Sequence, residues 1–336
     1  MIPENKQAAV KKALQTAFGV ETFKDIEQLH KGLSSALVFK IIVQEKPYLL
    51  RVITRTDAVA NPSFYYECMK IAAENGVAPR IIYMSIEDRV SITDFIIEQP
   101  FPIVAAKEMM PQLLRKLHAL PKFAYRLNYF DSMEKFIPRF EAANILPANE
   151  AKELFNIYHR ITAVYPTNDQ ENWVSCHNDS KPENIVFDGM RPWFVDWEAA
   201  FLNDRYLDLA IQGNFLAENE EEEKSFLEAY FGKPVDDYQF ARFFLMQQIL
   251  HLYYFVFLMA FDNGPKPLDI TAIRKRGFRQ FHDGMWKGSI SLAFTDSKRE
   301  YAMLHLDQFQ LKTQTKRFED SLRIVQKHNR KNLKIY

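Results

Sequence analysis

The stretch that most constrains this chain runs from Trp173 to Ala210, WVSCHNDSKPENIVFDGMRPWFVDWEAAFLNDRYLDLA. WVSC reads as a strand end, HNDSKPEN as a polar loop, and IVF and WFVD as short runs around a DGMRP turn. Asp-Gly between apolar runs is a hairpin signal. Folded about that turn, 187 faces 193, 186 faces 194 and 185 faces 195, which sets Asn184 opposite Asp196. Opposed side chains on antiparallel strands have Cβ atoms roughly 5 Å apart. An amide oxygen and a carboxylate at that spacing suit one hard cation, and Mg²⁺ takes oxygen ligands together with phosphate and water. Asp179 stands on the loop just before, free to meet a substrate. A loop in which Asn178 and Asp179 cap a turn, or an acidic strand end, would each be ordinary structure by itself. Their conjunction points to chemistry.

The surroundings divide in two. Residues 3–17 carry a helical pattern, and residues 25–97 read as strand, strand, helix, strand, strand. The first two strands meet at a Glu-Lys-Pro turn; the helix opens at Asn61-Pro62 and closes before Gly76. EQPFP at 98–102 then punctuates the chain, and beyond residue 103 apolar residues recur three and four apart. The expected architecture is α+β and two-lobed: residues 1–100 form a small, mostly antiparallel sheet lobe, residues 101–336 a larger helical lobe.

Lys and Arg number 43, as do Asp and Glu, so the formal charge is zero and no electrostatic case exists for nucleic acid as a partner. The two cysteines, Cys68 and Cys176, lack metal-site or disulfide spacing, which points to a reducing, cytoplasmic setting. The opening MIPENKQAAVKKAL has no apolar run of a secretory signal. Phe243 to Phe261 holds no charged residue over nineteen positions, near the length of a membrane span. Gln247, Gln248 and His251 interrupt it, so the expectation is a buried core helix and no membrane span.

His177-x-Asp179-x4-Asn184, followed by Asp196, resembles the catalytic loop and metal-binding Asp of protein-kinase-like enzymes. More narrowly, CHND, PENI, FVDWE and LDLA together are similar to the choline/ethanolamine kinase branch of the aminoglycoside-phosphotransferase-like family. The resemblance implies a bilobal protein-kinase-like fold that uses ATP and magnesium to phosphorylate a small-molecule alcohol. Asp179 becomes the catalytic base, Asn184 and Asp196 the Mg²⁺ ligands, and His177 and Asp208 supports of the loop. In the sheet lobe, Gly32, Ser34 and Ser35 stand where the phosphate loop belongs. Arg51 in YLLRVI takes the phosphate-binding cation position, suited by its fixed fork of donors, with Glu67 as its acidic partner. Asp94 and Ile96 fall at the hinge that meets adenine through backbone groups.

The resemblance offers one hint about the acceptor. HLYYFVF at 251–257 is similar to the helix whose two Trp residues box the choline ammonium, and the matching positions are Tyr254 and Phe257. Aromatic faces attract such cations, yet an aromatic stripe is also what a buried core helix carries. Choline or ethanolamine is the first expected acceptor, an aminoglycoside or other amino sugar or alcohol the second. The basic C-terminal run KRFEDSLRIVQKHNRKNLKIY disfavours a polycationic antibiotic. Ser180 and Ala199-Ala200 depart from the usual pattern on the substrate side. A catalytically silent nucleotide-binding scaffold is the rival from another class.

Overall fold

In the computed structural model, which describes residues 2–29, 36–57, 60–262 and 273–332, the sheet lobe comes first. Helix α1 (Glu4–Phe18) lies over five strands: β1 (Asp25–Leu29), β2 (Ala36–Val43), β3 (Lys46–Ile53), β4 (Ile81–Ser85) and β5 (Val90–Asp94). Their order is β1-β2-β3-β5-β4, antiparallel throughout. Strand β1 is one more than the sequence suggests. The β2–β3 turn also differs from the expected Glu-Lys-Pro. Gln44 and Glu45 both take left-handed φ, +48° and +63°, which gives a two-residue hairpin whose twist matches its strands; Pro47 already pairs with Ile42. Helix α2 (Ser63–Glu74) crosses between β3 and β4.

The helical lobe holds α3 (Ile103–His118), α4 (Tyr129–Ala142), α5 (Ala148–Thr162), α6 (Arg205–Leu216), α7 (Glu220–Phe231), α8 (Asp237–Ala260), α9 (Phe278–Trp286), α10 (Thr295–Thr313) and α11 (Lys316–Asn332). Two small antiparallel ribbons interrupt it, β6 (Trp173–Cys176) with β9 (Phe201–Asp204), and β7 (Ile185–Phe187) with β8 (Pro192–Phe194). The α+β, two-lobed architecture is the expected one. The apolar cores divide less simply than the chain. One core joins α1 to β2, β3 and β5, while Tyr65, Tyr66, Cys68 and Ala72 of α2 belong to the larger core of the helical lobe.

Helix α8 is the axle of that core. Asp236 and Gln239 close a capping box at its start, and α4, α6, α10 and α11 pack around it. It is long and apolar enough to cross a membrane, but most of its apolar stretch is enclosed by protein. Arg242, wholly buried near its first turns, is paired with Asp169 and, at 2.7 Å, with Asp204. That pairing ties α8 to the N-cap of α6, because Asp204 also accepts the Tyr206 N–H. The acidic run at 218–223 starts α7 with Asn219 as its cap. It is not solvated throughout: Glu223 is buried, ion-paired with Arg317 and accepting from Gln247.

Candidate active site

The loop between β6 and β7 is shaped by buried hydrogen bonds. Asp208, on the first turn of α6, accepts the backbone N–H groups of His177 and Asn178, each at 2.8 Å. Asn178 takes a left-handed φ of +62°, donates to Ala199 O and accepts from Asn203. His177 is buried against Phe194 and Trp197, and its Nε2 meets Val195 O at 2.9 Å. His118, Cys176 and Asp208 lie close enough to suggest a metal cluster. Both His118 nitrogens are engaged, with Tyr230 and Asp208, and Asp208 holds the two backbone amides. This cluster braces the loop.

The braced loop carries Asp179, and two donors converge on one of its oxygens. Lys181 Nζ lies 2.6 Å and Asn184 Nδ2 2.8 Å from Oδ2; Asn184 Nδ2 also reaches Asp179 O. Burial disfavours the Lys181 ammonium, but Asp179, with Glu183 and Asp196 behind it, holds its pKa above the ordinary lysine value. Lys181 escapes a reading based on spacing alone; its signal is a cation two residues past Asp179 within a loop of polar residues.

The hairpin register differs from the expected one. Ile185 faces Phe194, Val186 faces Trp193 and Phe187 faces Pro192. Asp188 Oδ1 accepts the N–H groups of both Met190 and Arg191, closing a four-residue turn, one residue shorter than the spacing predicts. Asn184 therefore sits opposite Val195, whose N–H it receives at 2.9 Å. Asp196 follows one residue on, in a left-handed conformation with φ +59°. The two are still neighbours, through a backbone kink rather than as a cross-strand pair.

Arg51, on β3, reaches from the sheet to this kink. Its Nη1 meets Asp196 Oδ1 at 3.2 Å and its Nη2 pairs with Glu198. Burial works against the guanidinium's charge, yet Asp196 and then Glu198 keep its pKa above the usual arginine value. The expected partner, Glu67, is instead exposed on α2 with no ion pair among the described residues. Helical periodicity explains why: Tyr65, Tyr66 and Cys68 take the inward positions, leaving 67 outside. Asp94 ends β5, its carboxylate bidentate on Arg80 and its N–H on Arg80 O, so that N–H is committed. Ile96 lies just past the strand and is half-buried. Gly32, Ser34 and Ser35 lie outside the described residues.

On the far side of Asp179, α8 changes character. Almost the whole helix from Ala241 on is buried, whereas Tyr253, Tyr254, Phe257 and Leu258 are only half-buried. Tyr253 stacks parallel to Phe257 at 5.7 Å, and Tyr254 meets Tyr301 of α10 at 5.4 Å. Burial, aided by the Asp179 charge, pushes the phenols of Tyr253 and Tyr254 above their ordinary value. The sequence-derived pair is thus part of a wider aromatic face that includes Tyr253 and Tyr301.

A small antiparallel sheet over a helical lobe, with Asp179, Asn184 and Asp196 gathered around one short hairpin, is the architecture of a kinase-like phosphotransferase. The phosphotransferase enzyme family matches residues 25–244, more than half of the chain, and the chain belongs to that family. Among solved structures, a choline/ethanolamine kinase family protein from Mesorhizobium loti is similar over 96% of this chain and 99% of its own, at 20% identity and a TM-score of 0.65. Choline kinase from Cryptosporidium parvum is similar over 96% and 98%, at 13% identity and a TM-score of 0.64. A spectinomycin phosphotransferase in complex with ADP and spectinomycin covers 89% and 98%, at 13% identity and a TM-score of 0.57. At these identities the likeness establishes the fold. No match to a curated protein was found.

Proposed function

We propose that this phosphotransferase moves the γ-phosphoryl group of ATP to the hydroxyl of a small amino alcohol, with an aminoglycoside or other amino sugar as the second choice. The observation that carries the reading is the convergence on one point of Asp179, Lys181 and Asn184 from the loop, Asp196 from the kink and Arg51 from the sheet. Kinases and aminoglycoside phosphotransferases among the structural neighbours support it, the spectinomycin phosphotransferase being in complex with ADP.

The donor set fits magnesium. Asn184 directs its amide N–H groups at Asp179, so its Oδ1 is the atom left for a cation, and Asp196 adds a partly exposed carboxylate. Bound there, Mg²⁺ neutralises phosphate charge. Arg51 exchanges a carboxylate for phosphate oxygens when nucleotide enters, since its fork suits either. Asp179 orients the acceptor hydroxyl and takes its proton as the alcohol oxygen bonds to phosphorus and the bond to ADP breaks. Lys181, between the base and Asp196, fixes the base and adds positive charge where the phosphoryl group passes. The aromatic face of Tyr253, Tyr254 and Phe257 receives the acceptor's amine-bearing end.

The test is acceptor-dependent ADP release across amino alcohols, neutral sugars and aminoglycosides, with amino alcohols expected to lead. ATP binding with no release for any acceptor would make the protein a silent nucleotide-binding scaffold.

A further inference from the structure

Glu183 has no task in the reaction just described. It sits in the short turn Pro182–Asn184, four residues past Asp179 on the same loop. One of its oxygens, Oε1, accepts the Leu292 N–H at 3.3 Å. The other, Oε2, is enclosed and has no hydrogen-bond partner among the described residues. An enclosed carboxylate oxygen without a donor is costly and asks for an explanation.

Its surroundings supply one. The turn packs on α9, whose Phe281 stacks on Tyr301 at 5.3 Å, and Tyr301 in turn meets Tyr254. Burial first, and then the charges of Asp179 and Glu183, raise the Tyr301 phenol above its ordinary value, which sets both carboxylates within electrostatic reach of that ring. The nearest cation of the loop, Lys181, is bonded to Asp179, and no ion pair joins it to Glu183 among the described residues. With the Lys181 ammonium bonded to Asp179, Glu183 Oε2 is left without a hydrogen-bond donor of its own among the described residues.

We propose that Glu183 is the specificity-determining counter-ion of the acceptor, and that it selects amino alcohols whose ammonium still carries an N–H. This inference rests on the amino-alcohol reading above and sharpens it. An orphaned acceptor oxygen is satisfied only by a donor, and a quaternary ammonium has none. The rings favour any alkylammonium, and Tyr and Phe attract it less than Trp does. They do not distinguish methylation states. A hydrogen bond from the ammonium to Glu183 Oε2 does.

The experiment is an N-methylation series, ethanolamine to N-methyl- and N,N-dimethylethanolamine to choline, assayed by ADP release and, separately, by calorimetric binding. The last step removes the only remaining N–H, and kcat/KM is expected to fall there by roughly tenfold to a hundredfold, the scale of one hydrogen bond to a charged group. In Glu183→Gln the ratio between dimethylethanolamine and choline collapses towards one, while the ATP KM stays in place. Should Glu183→Gln not fold, Glu183→Asp, with the same charge on a shorter arm, is expected to reduce the same ratio. Choline as good as dimethylethanolamine in the unaltered protein, or a ratio unmoved in a folded Glu183 variant, overturns the assignment and leaves the kinase reading standing. Absence of ADP release with every alcohol overturns the kinase reading itself, and Glu183 as its counter-ion with it.

Discussion

Lys181 Nζ and Asp179 Oδ2 lie 2.6 Å apart, and the lysine side chain is only 12% exposed. A carboxylate held this way is aimed by its neighbour as much as by its own backbone. Asp179→Asn removes the proton acceptor and is expected to lower kcat by about 10²–10⁴-fold. ATP affinity, measured by calorimetry, should stay nearly unchanged; an equal loss of nucleotide binding would make Asp179 a structural residue. Lys181→Met keeps the base but frees it, and about 10²-fold in kcat is expected to go with it.

Asn184 and Asp196 should behave as one unit through a shared ion. Asp196→Ala is expected to raise the Mg²⁺ requirement sharply, and adding Asn184→Ala should cost little more, since groups acting together are non-additive. Magnesium titrations of the two single variants and the double settle it. Fully additive losses would show that no ion is shared.

Tyr254 and Phe257 stand near the C-terminal end of α8, on its half-buried face. If they wall the acceptor site, truncating both to Ala should raise the acceptor KM at least tenfold, given about 0.5–2 kcal/mol per ring, and leave the ATP KM alone. A purely structural face predicts another result, about 3–5 kcal/mol of stability lost per ring with the acceptor KM unaltered in the surviving protein. Thermal melts beside acceptor titrations separate the two.

Stability should fall on mild acidification because of a histidine cluster buried in the helical lobe. His251 Nδ1 and His305 Nδ1 share one hydrogen bond at 2.8 Å, in which one nitrogen donates and the other, on a neutral ring, accepts. Burial, and then neighbouring imidazoles and Lys312, push both pKa values below the ordinary histidine value. Burial followed by Arg279 brings His282 down to about 3. Each folded-state pKa is depressed, so the unfolded chain binds the extra protons. Stability is therefore intact above about pH 6.5 and declines below it, towards pH 3 for His282, by about 1.4 kcal/mol per pH unit for each histidine titrating. Melting temperatures from pH 7.5 to 4.5 should show the fall, and His282→Asn should flatten it.

Arg242 and Asp204 form a buried pair that joins two helices. Arg242→Met leaves Asp204 uncompensated and is expected to cost about 3–5 kcal/mol. Chemical denaturation of the single variants and of Arg242→Met with Asp204→Asn should show the double variant recovering part of that loss.

What the sequence determined by itself was whatever is local. The loop HNDSKPEN, the turn at Asp188, the helix starts and the change from alternating to helical periodicity each depend on residues a few positions apart. They sufficed for the two-lobed α+β fold and for placing Asp179, Asn184 and Asp196 together. The tertiary structure decided how those residues are joined. The hairpin register turned on the Asp188 carboxylate capturing two amides, a one-residue difference that spacing did not resolve. Arg51 chose Asp196 and Glu198, some 145 residues on, over Glu67, because α2 turns its aromatic side inward. The places of Lys181, Tyr301 and Glu183 depend on segments far apart in the chain, since burial and charge compensation belong to the assembled interior and to no single segment.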